Sequence, residues 1–154
     1  MRLTLAVINP TRSRARGKSK SDAAATLADE YITRAARYIP TEAQTYASES
    51  DLLAALDQSA RTTPVLILLD SRGKQLTSEA FAQHLGRLRD AGTQSLILAI
   101  GPHDGWTAAA RTRASVTLSL GLITLPHELA RAVLAEQIYR ALTILANHPY
   151  HSAH

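Results

Sequence analysis

Pro64-Val65-Leu66-Ile67-Leu68-Leu69-Asp70 is an unbroken apolar run held between a proline and an aspartate. A strand with one wet face alternates apolar and polar residues. A continuous run of this length suits a strand covered on both faces, as in a parallel sheet between helices. Working outward, Ser71-Arg72-Gly73-Lys74 reads as a turn, and Thr77 or Ser78 caps a helix that runs to Ala91 and ends at Gly92. Ser95 to Ile100 is a second run of the buried type, followed by Gly101-Pro102-His103-Asp104-Gly105 and a short helix from Trp106 to Arg113. Ser115 to Leu120 reads as a further strand, and Pro126 starts a long last helix to Asn147. On the N-terminal side, Leu3 to Ile8 is the first strand. Asp22 to Tyr38 is a helix with Leu27, Tyr31, Ala35 and Tyr38 at helical spacing. Ala43 to Ala47 is a weak strand, and Ser50 to Ser59 is a helix carrying Leu52, Leu53 and Leu56. Strand and helix alternate throughout, which predicts an α/β fold: one domain over residues 1–154, a largely parallel sheet, and helices on both faces.

Composition narrows the class. Of 154 residues, 45% are hydrophobic and 19% charged, an ordinary globular balance. The absence of cysteine excludes disulfides and thiolate metal sites and agrees with a reducing compartment. The apolar run at Leu3–Ile8 is broken at once by Asn9-Pro10, too short for a secretory signal. No stretch approaches the roughly 20 apolar residues of a membrane span. The expectation is a soluble, cytoplasmic chain with no membrane partner. The net charge is +4, and Arg12, Arg14, Arg16, Lys18 and Lys20 stand at alternate positions with no acid among them. They read either as a phosphate-contacting loop or as a solvated one.

Ligands of an open parallel sheet bind beyond the C-terminal ends of its strands. The marked ends here are Leu69-Asp70, Gly101, and Leu120-Gly121-Leu122-Ile123-Thr124-Leu125, where glycines allow close approach to the backbone or simply turn the chain. Neither a dinucleotide fingerprint, a phosphate-binding P-loop nor a nucleophile elbow is present. His148, His151 and His154 recur every third residue without evident co-ligands, so no metal is expected. The last helix is apolar nearly all round, which predicts burial on more than one side, with a second copy of the chain as the natural cover. Glu136 and Arg140 are four apart and pair along it, while Arg131 or Arg140 is also suited to meeting an anion.

Thr124-Leu125-Pro126-His127, Arg131, Ala135-Glu136-Gln137-Ile138-Tyr139-Arg140-Ala141 and Asn147-His148-Pro149-Tyr150-His151 together resemble the C-terminal signature of the ribosomal RNA large subunit methyltransferase H family, of the SPOUT or α/β-knot class. Leu69-Asp70, Gly73-Lys74, Ser78-Glu79, Phe81-Ala82 and Ile100-Gly101 extend the resemblance, and Asp29-Glu30-Tyr31 with Arg34 matches more loosely. It implies a C-terminal trefoil knot, which no sequence pattern predicts. It implies S-adenosyl-L-methionine as cofactor, held by Leu69, Gly101, Leu120, Gly121, Leu122, Ile123, Thr124 and Leu125. It implies a homodimer, and a pseudouridine in helix 69 of 23S rRNA within the 70S ribosome, methylated at N3. Tyr150 and His151 are the residues it places against the nucleoside, with His127 and Arg131 behind them. The chain departs from the family pattern at Pro102, where a second glycine is usual, at Gly121, where serine is frequent, and at Ser152, where the tail commonly carries arginine. A related methyltransferase acting on transfer RNA, and a non-catalytic RNA-binding protein on the same scaffold, are the alternatives.

Overall fold

The computed structural model describes residues 1–9, 23–58 and 61–153. The basic loop Arg12–Lys20, the expected helix start at Asp22, the expected helix end at Ser59, and His154 lie outside them. Five parallel strands, β1 (Arg2–Ile8), β2 (Thr41–Tyr46), β3 (Val65–Gln75), β4 (Ser95–Ile100) and β5 (Val116–Ser119), form one sheet in the order β2-β1-β4-β3-β5. Among the described residues the helices are α1 (Ala23–Ala35), α2 (Glu49–Asp57), α3 (Ser78–Asp90), α4 (Ala108–Arg113) and α5 (His127–Leu145), and a 3-10 turn covers His151–Ala153.

Both faces are covered, as the unbroken runs predict. Leu3, Leu5 and Val7 of β1 and Leu96, Leu98 and Ile100 of β4 pack under α1, α3 and α5. The alternate residues Ala6, Ile8, Leu66, Leu68, Ile97 and Ala99 pack under α2 and α4. The period of two along a strand divides these residues between the faces, and each face finds an apolar helix. Ser48, Thr77 and Thr107 accept hydrogen bonds from Asp51, Ala80 and Ala110 and so cap α2, α3 and α4. Pro126 precedes the last helix in an extended conformation rather than forming its first turn.

A further expectation is corrected. Ser71–Lys74 does not end the third strand. Leu69 and Lys74 both pair with Leu118, so Asp70–Gly73 bulge out and β3 resumes to Gln75. The register shift brings the chain hard against β5: a Cβ on Gly73 would stand 2.4 Å from the Leu118 carbonyl carbon. Glycine is required there for close approach. Asp70 holds the bulge, accepting from the Arg72 N–H at 2.9 Å and from Arg111 of α4 at 2.5 Å.

Candidate functional site

The strand order places the marked strand ends side by side. β3 lies between β4 and β5, so the point at Leu69 where it bulges out sits beside the loops that follow β4 and β5. Leu69 consequently lines each of three adjoining clefts. The first, about 290 Å³, runs over Asp70, Ile100, Gly101, Pro102, Trp106 and Thr124. The second, about 200 Å³, is bordered by Ser119, Leu120, Gly121, Ile123, Thr124 and Leu125. The third, about 380 Å³, continues past Leu120 and Gly121 to Lys74, Thr77, Ser78, Phe81, Val133 and Gln137. Leu69, Gly101, Leu120, Gly121, Ile123, Thr124 and Leu125 are thus brought together. The Leu122 side chain is not: it is 89% exposed and lines none of these clefts.

The glycines differ in their reasons. A Cβ on Gly101 would stand 2.7 Å from the Trp106 ring, so glycine there admits the indole. The indole N–H donates to the Leu69 carbonyl at 2.9 Å and ties the β4 loop to β3 at the start of its bulge. Gly121 has φ +139° and open space where a side chain would stand. Only glycine holds that backbone without strain, and the wall stays low beside it. His127 Nε2 lies 2.9 Å from the Gly101 carbonyl, and its ring neighbours His103 at 5.4 Å. Burial would raise the Asp70 pKa. The Arg72 backbone N–H and the Arg111 guanidinium outweigh it and hold the carboxyl below its ordinary value, as an anion at the cleft edge.

The tail folds back onto Glu79 and Glu136, the sequence neighbours of the third cleft's Ser78 and Gln137. His151 Nε2 lies 2.8 Å from Glu79 at the start of α3, and its Nδ1 lies 3.4 Å from an Arg140 nitrogen. Arginine only donates, so Nδ1 accepts and Nε2–H donates to Glu79. The Tyr150 hydroxyl donates to Glu136 at 3.0 Å, and the Arg140 guanidinium lies 4.9 Å over the Tyr150 ring. Burial first, then hydrogen bonding with Tyr31 and Glu136, pushes the Tyr150 pKa upward, which keeps the hydroxyl protonated. Glu136 also accepts from Arg140 at 2.9 Å and from Gln137, which in turn accepts from Ser78 at 2.7 Å.

Two expected roles separate here. Arg140 makes the pair along the helix with Glu136. Arg131 is not brought to Tyr150 and His151: it is 5% exposed, bound to Asp29 of α1 at 2.8 Å and near Glu128 at 3.9 Å. Glu79 is the residue to which sequence reasoning, though it counted Ser78-Glu79 in the resemblance, gave no role. Its signal was its place beside Ser78 in the first turn of a capped helix, which marks a carboxylate for the helix dipole rather than a partner for a histidine 72 residues away. Among the described residues, no group of histidines and carboxylates is arranged to hold a metal ion.

Residues 12–151 match the family model described as Predicted SPOUT methyltransferase. The chain is 53% identical over 138 residues to a ribosomal RNA large subunit methyltransferase H of Koribacter versatilis, covering 90% of this chain and 94% of that one. A protein of the same name from Brucella anthropi is 59% identical over 97 residues, 63% of this chain and 58% of its own length. Among solved structures, the SpoU methyltransferase AviRb from Streptomyces viridochromogenes, crystallised with AdoMet, shares the fold at TM-score 0.51 and 15% identity, covering 96% of this chain and 59% of that one. The crevice at three neighbouring strand ends, the match along 12–151 and the near full-length identity agree: the chain belongs to the SPOUT methyltransferases and, within them, to the ribosomal RNA large subunit methyltransferase H family.

Proposed function

We propose that this protein methylates N3 of a pseudouridine in helix 69 of 23S rRNA within the assembled 70S ribosome, using S-adenosyl-L-methionine. The observation that carries the reading is one crevice, between the bulge of β3 and the loops after β4 and β5, whose lining residues Ser78 and Gln137 are next in sequence to the Glu79 and Glu136 that bind His151 and Tyr150. The crevice fits the cofactor. Leu69, Ile100, Leu120, Ile123 and Leu125 offer apolar walls, Asp70, Ser71 and Thr124 offer polar edges, and the low wall at Gly121 leads toward the third cleft. Leu122 lines none of the crevice. When bound, the cofactor supplies an activated methyl group on its sulfonium.

The chain's own residues then orient the nucleoside and manage the N3 proton. Tyr150, kept protonated, acts as a hydrogen-bond donor. His151 is the proton acceptor, and its two ring nitrogens are engaged by Glu79 and Arg140. Release of Nδ1 from Arg140 makes it available, and the Glu79 carboxylate opposite then stabilises the imidazolium. Positioning supplies up to roughly 7–11 kcal/mol in well-oriented reactions, and a general base adds about 10²- to 10⁴-fold. Arg131 acts only by clasping α5 to α1.

The reading includes the trefoil knot of the class, supported by β5 pairing beside β3 while α5 returns over α1 and α3. It includes a homodimer, supported by exposed Leu27 on α1, Leu129 on α5 and Ile123 in the loop before it. It includes the cytoplasm, where ribosomes are; no helix among the described residues is long and apolar enough to cross a membrane. The test is transfer of labelled methyl groups to 70S ribosomes, with free 23S RNA and transfer RNA as controls. Label on 70S ribosomes is expected. Label on transfer RNA alone sinks the assignment, and absence of saturable cofactor binding favours a non-catalytic scaffold.

A further inference from the structure

Away from the crevice, a cleft of about 380 Å³ opens between the C-terminal ends of α1 and α5, lined by Arg34, Arg37, Tyr38, Tyr139 and His148. Its walls are two guanidinium groups, an imidazole and two phenol rings. Cations interleaved with aromatic faces are the chemistry that binds single-stranded nucleic acid, phosphates on the cations and bases against the rings.

The cleft is continuous with the tail. The Tyr150 backbone N–H donates to His148 Nδ1 at 3.2 Å. The Tyr139 ring meets the Tyr150 ring edge to face at 4.7 Å, and lies 6.1 Å from Tyr38 and 5.9 Å from Tyr31. Arg34 stands 5.4 Å over Tyr31, as Arg140 stands over Tyr150. One run of rings and cations therefore leads from His151 to Arg37. The carboxylates bordering it are each engaged by an arginine, Glu30 by Arg34 and Glu136 by Arg140. Arg37, at the outer end, has an exposed side chain.

We propose that this cleft is a second RNA subsite, taking a nucleotide next to the one modified, its phosphate on Arg37, Arg34 and His148 and its base against Tyr38 and Tyr139. The proposal rests on the reading of the crevice as an RNA-modifying site. It assigns this cleft to unpaired RNA, because bases reach aromatic faces only when splayed from a helix.

The experiment uses the full chain and three variants, Arg37→Ala, Tyr38→Phe and Tyr38→Ala, each checked for fold by circular dichroism and for cofactor affinity by calorimetry. Two quantities are read: anisotropy of a fluorescein-labelled single-stranded RNA, and KM for 70S ribosomes at saturating cofactor. Arg37→Ala is expected to weaken both about 5-fold or more, and to lower the slope of log affinity against log salt by about one, with cofactor affinity unchanged. Tyr38→Phe keeps the ring and is expected to behave as wild type, while Tyr38→Ala loses RNA affinity by a similar factor. A wild-type KM for ribosomes in Arg37→Ala overturns the subsite, whatever the anisotropy shows. If the wild type methylates no ribosome, the functional reading has failed, and anisotropy alone then decides: unchanged RNA binding in Arg37→Ala overturns the subsite too.

Discussion

At the smallest scale, the proposed proton transfer rests on His151. Its ring is held between a carboxylate and a guanidinium, so one nitrogen must be freed before it accepts a proton. Replacing it by alanine is expected to lower kcat on ribosomes by about 10²-fold or more while cofactor affinity stays the same. Near-normal turnover removes His151 from the mechanism. His84 of α3 makes a separate residue-scale prediction. Its Nε2 is buried with no hydrogen-bond partner among the described residues. Burial first, then the charges of Arg87 and Lys74, lower its pKa. The folded value lies below the unfolded value of about 6.5, so between the two the unfolded chain binds more protons. Stability from this group is full above that window and is lost as pH falls through it. The melting temperature of the wild type is expected to fall more between about pH 7 and pH 5 than that of His84→Gln. Equal falls remove His84 as the cause.

At the scale of elements, the interrupted strand β3 organises the site. Its bulge carries Asp70 out to Arg111 and returns the chain to pair again with Leu118. Gly73→Ala drives a methyl group into the Leu118 backbone, which side-chain adjustment cannot relieve. The cost is expected at about 1–3 kcal/mol, a fall of roughly 2–12 °C in melting temperature. Calorimetry checks this, and an unchanged midpoint means that the two segments are not held so closely. The element boundaries show how far local sequence reached. The cap at Thr77 and the buried runs were legible because propensity and periodicity are local properties, whereas α2 is capped by Ser48 and not by Ser50. The continuation to Gln75 was not legible, because Ser71-Arg72-Gly73-Lys74 has turn chemistry, and only the pairing of Lys74 and Gln75 with β5 makes it a bulge inside a strand.

For the whole molecule, the unresolved quantity is apolar surface. Leu122 and Ile123 are 89% and 78% exposed, and Leu27 and Leu129 each 43%. Meanwhile α5 buries Ala132, Leu134, Ala135, Ile138, Ala141 and Leu142 within the chain itself. The over-apolar last helix is therefore explained largely by α1, α3 and the sheet, and only its remaining strip with the neighbouring loop is left for a second copy. Sedimentation is expected to give about twice the 16.6 kDa chain mass, and Leu27→Asp with Leu129→Asp to give the single-chain mass. A wild type that sediments as one chain at assay concentration removes the dimer.

By itself the sequence determined the alternation of elements, the two-faced burial of the sheet, the loop residues that border the clefts and, through its C-terminal signature, the family. These follow from periodicity, capping and residue order, all of which act over a few positions. The tertiary structure decided which strand ends become neighbours and that Gly101 is glycine for an indole. It also sent Arg131 to Asp29 across 102 residues, and His151 to Glu79. Such pairings depend on how elements pack, and an arginine or histidine carries no local mark of the distant carboxylate that the fold will bring to it.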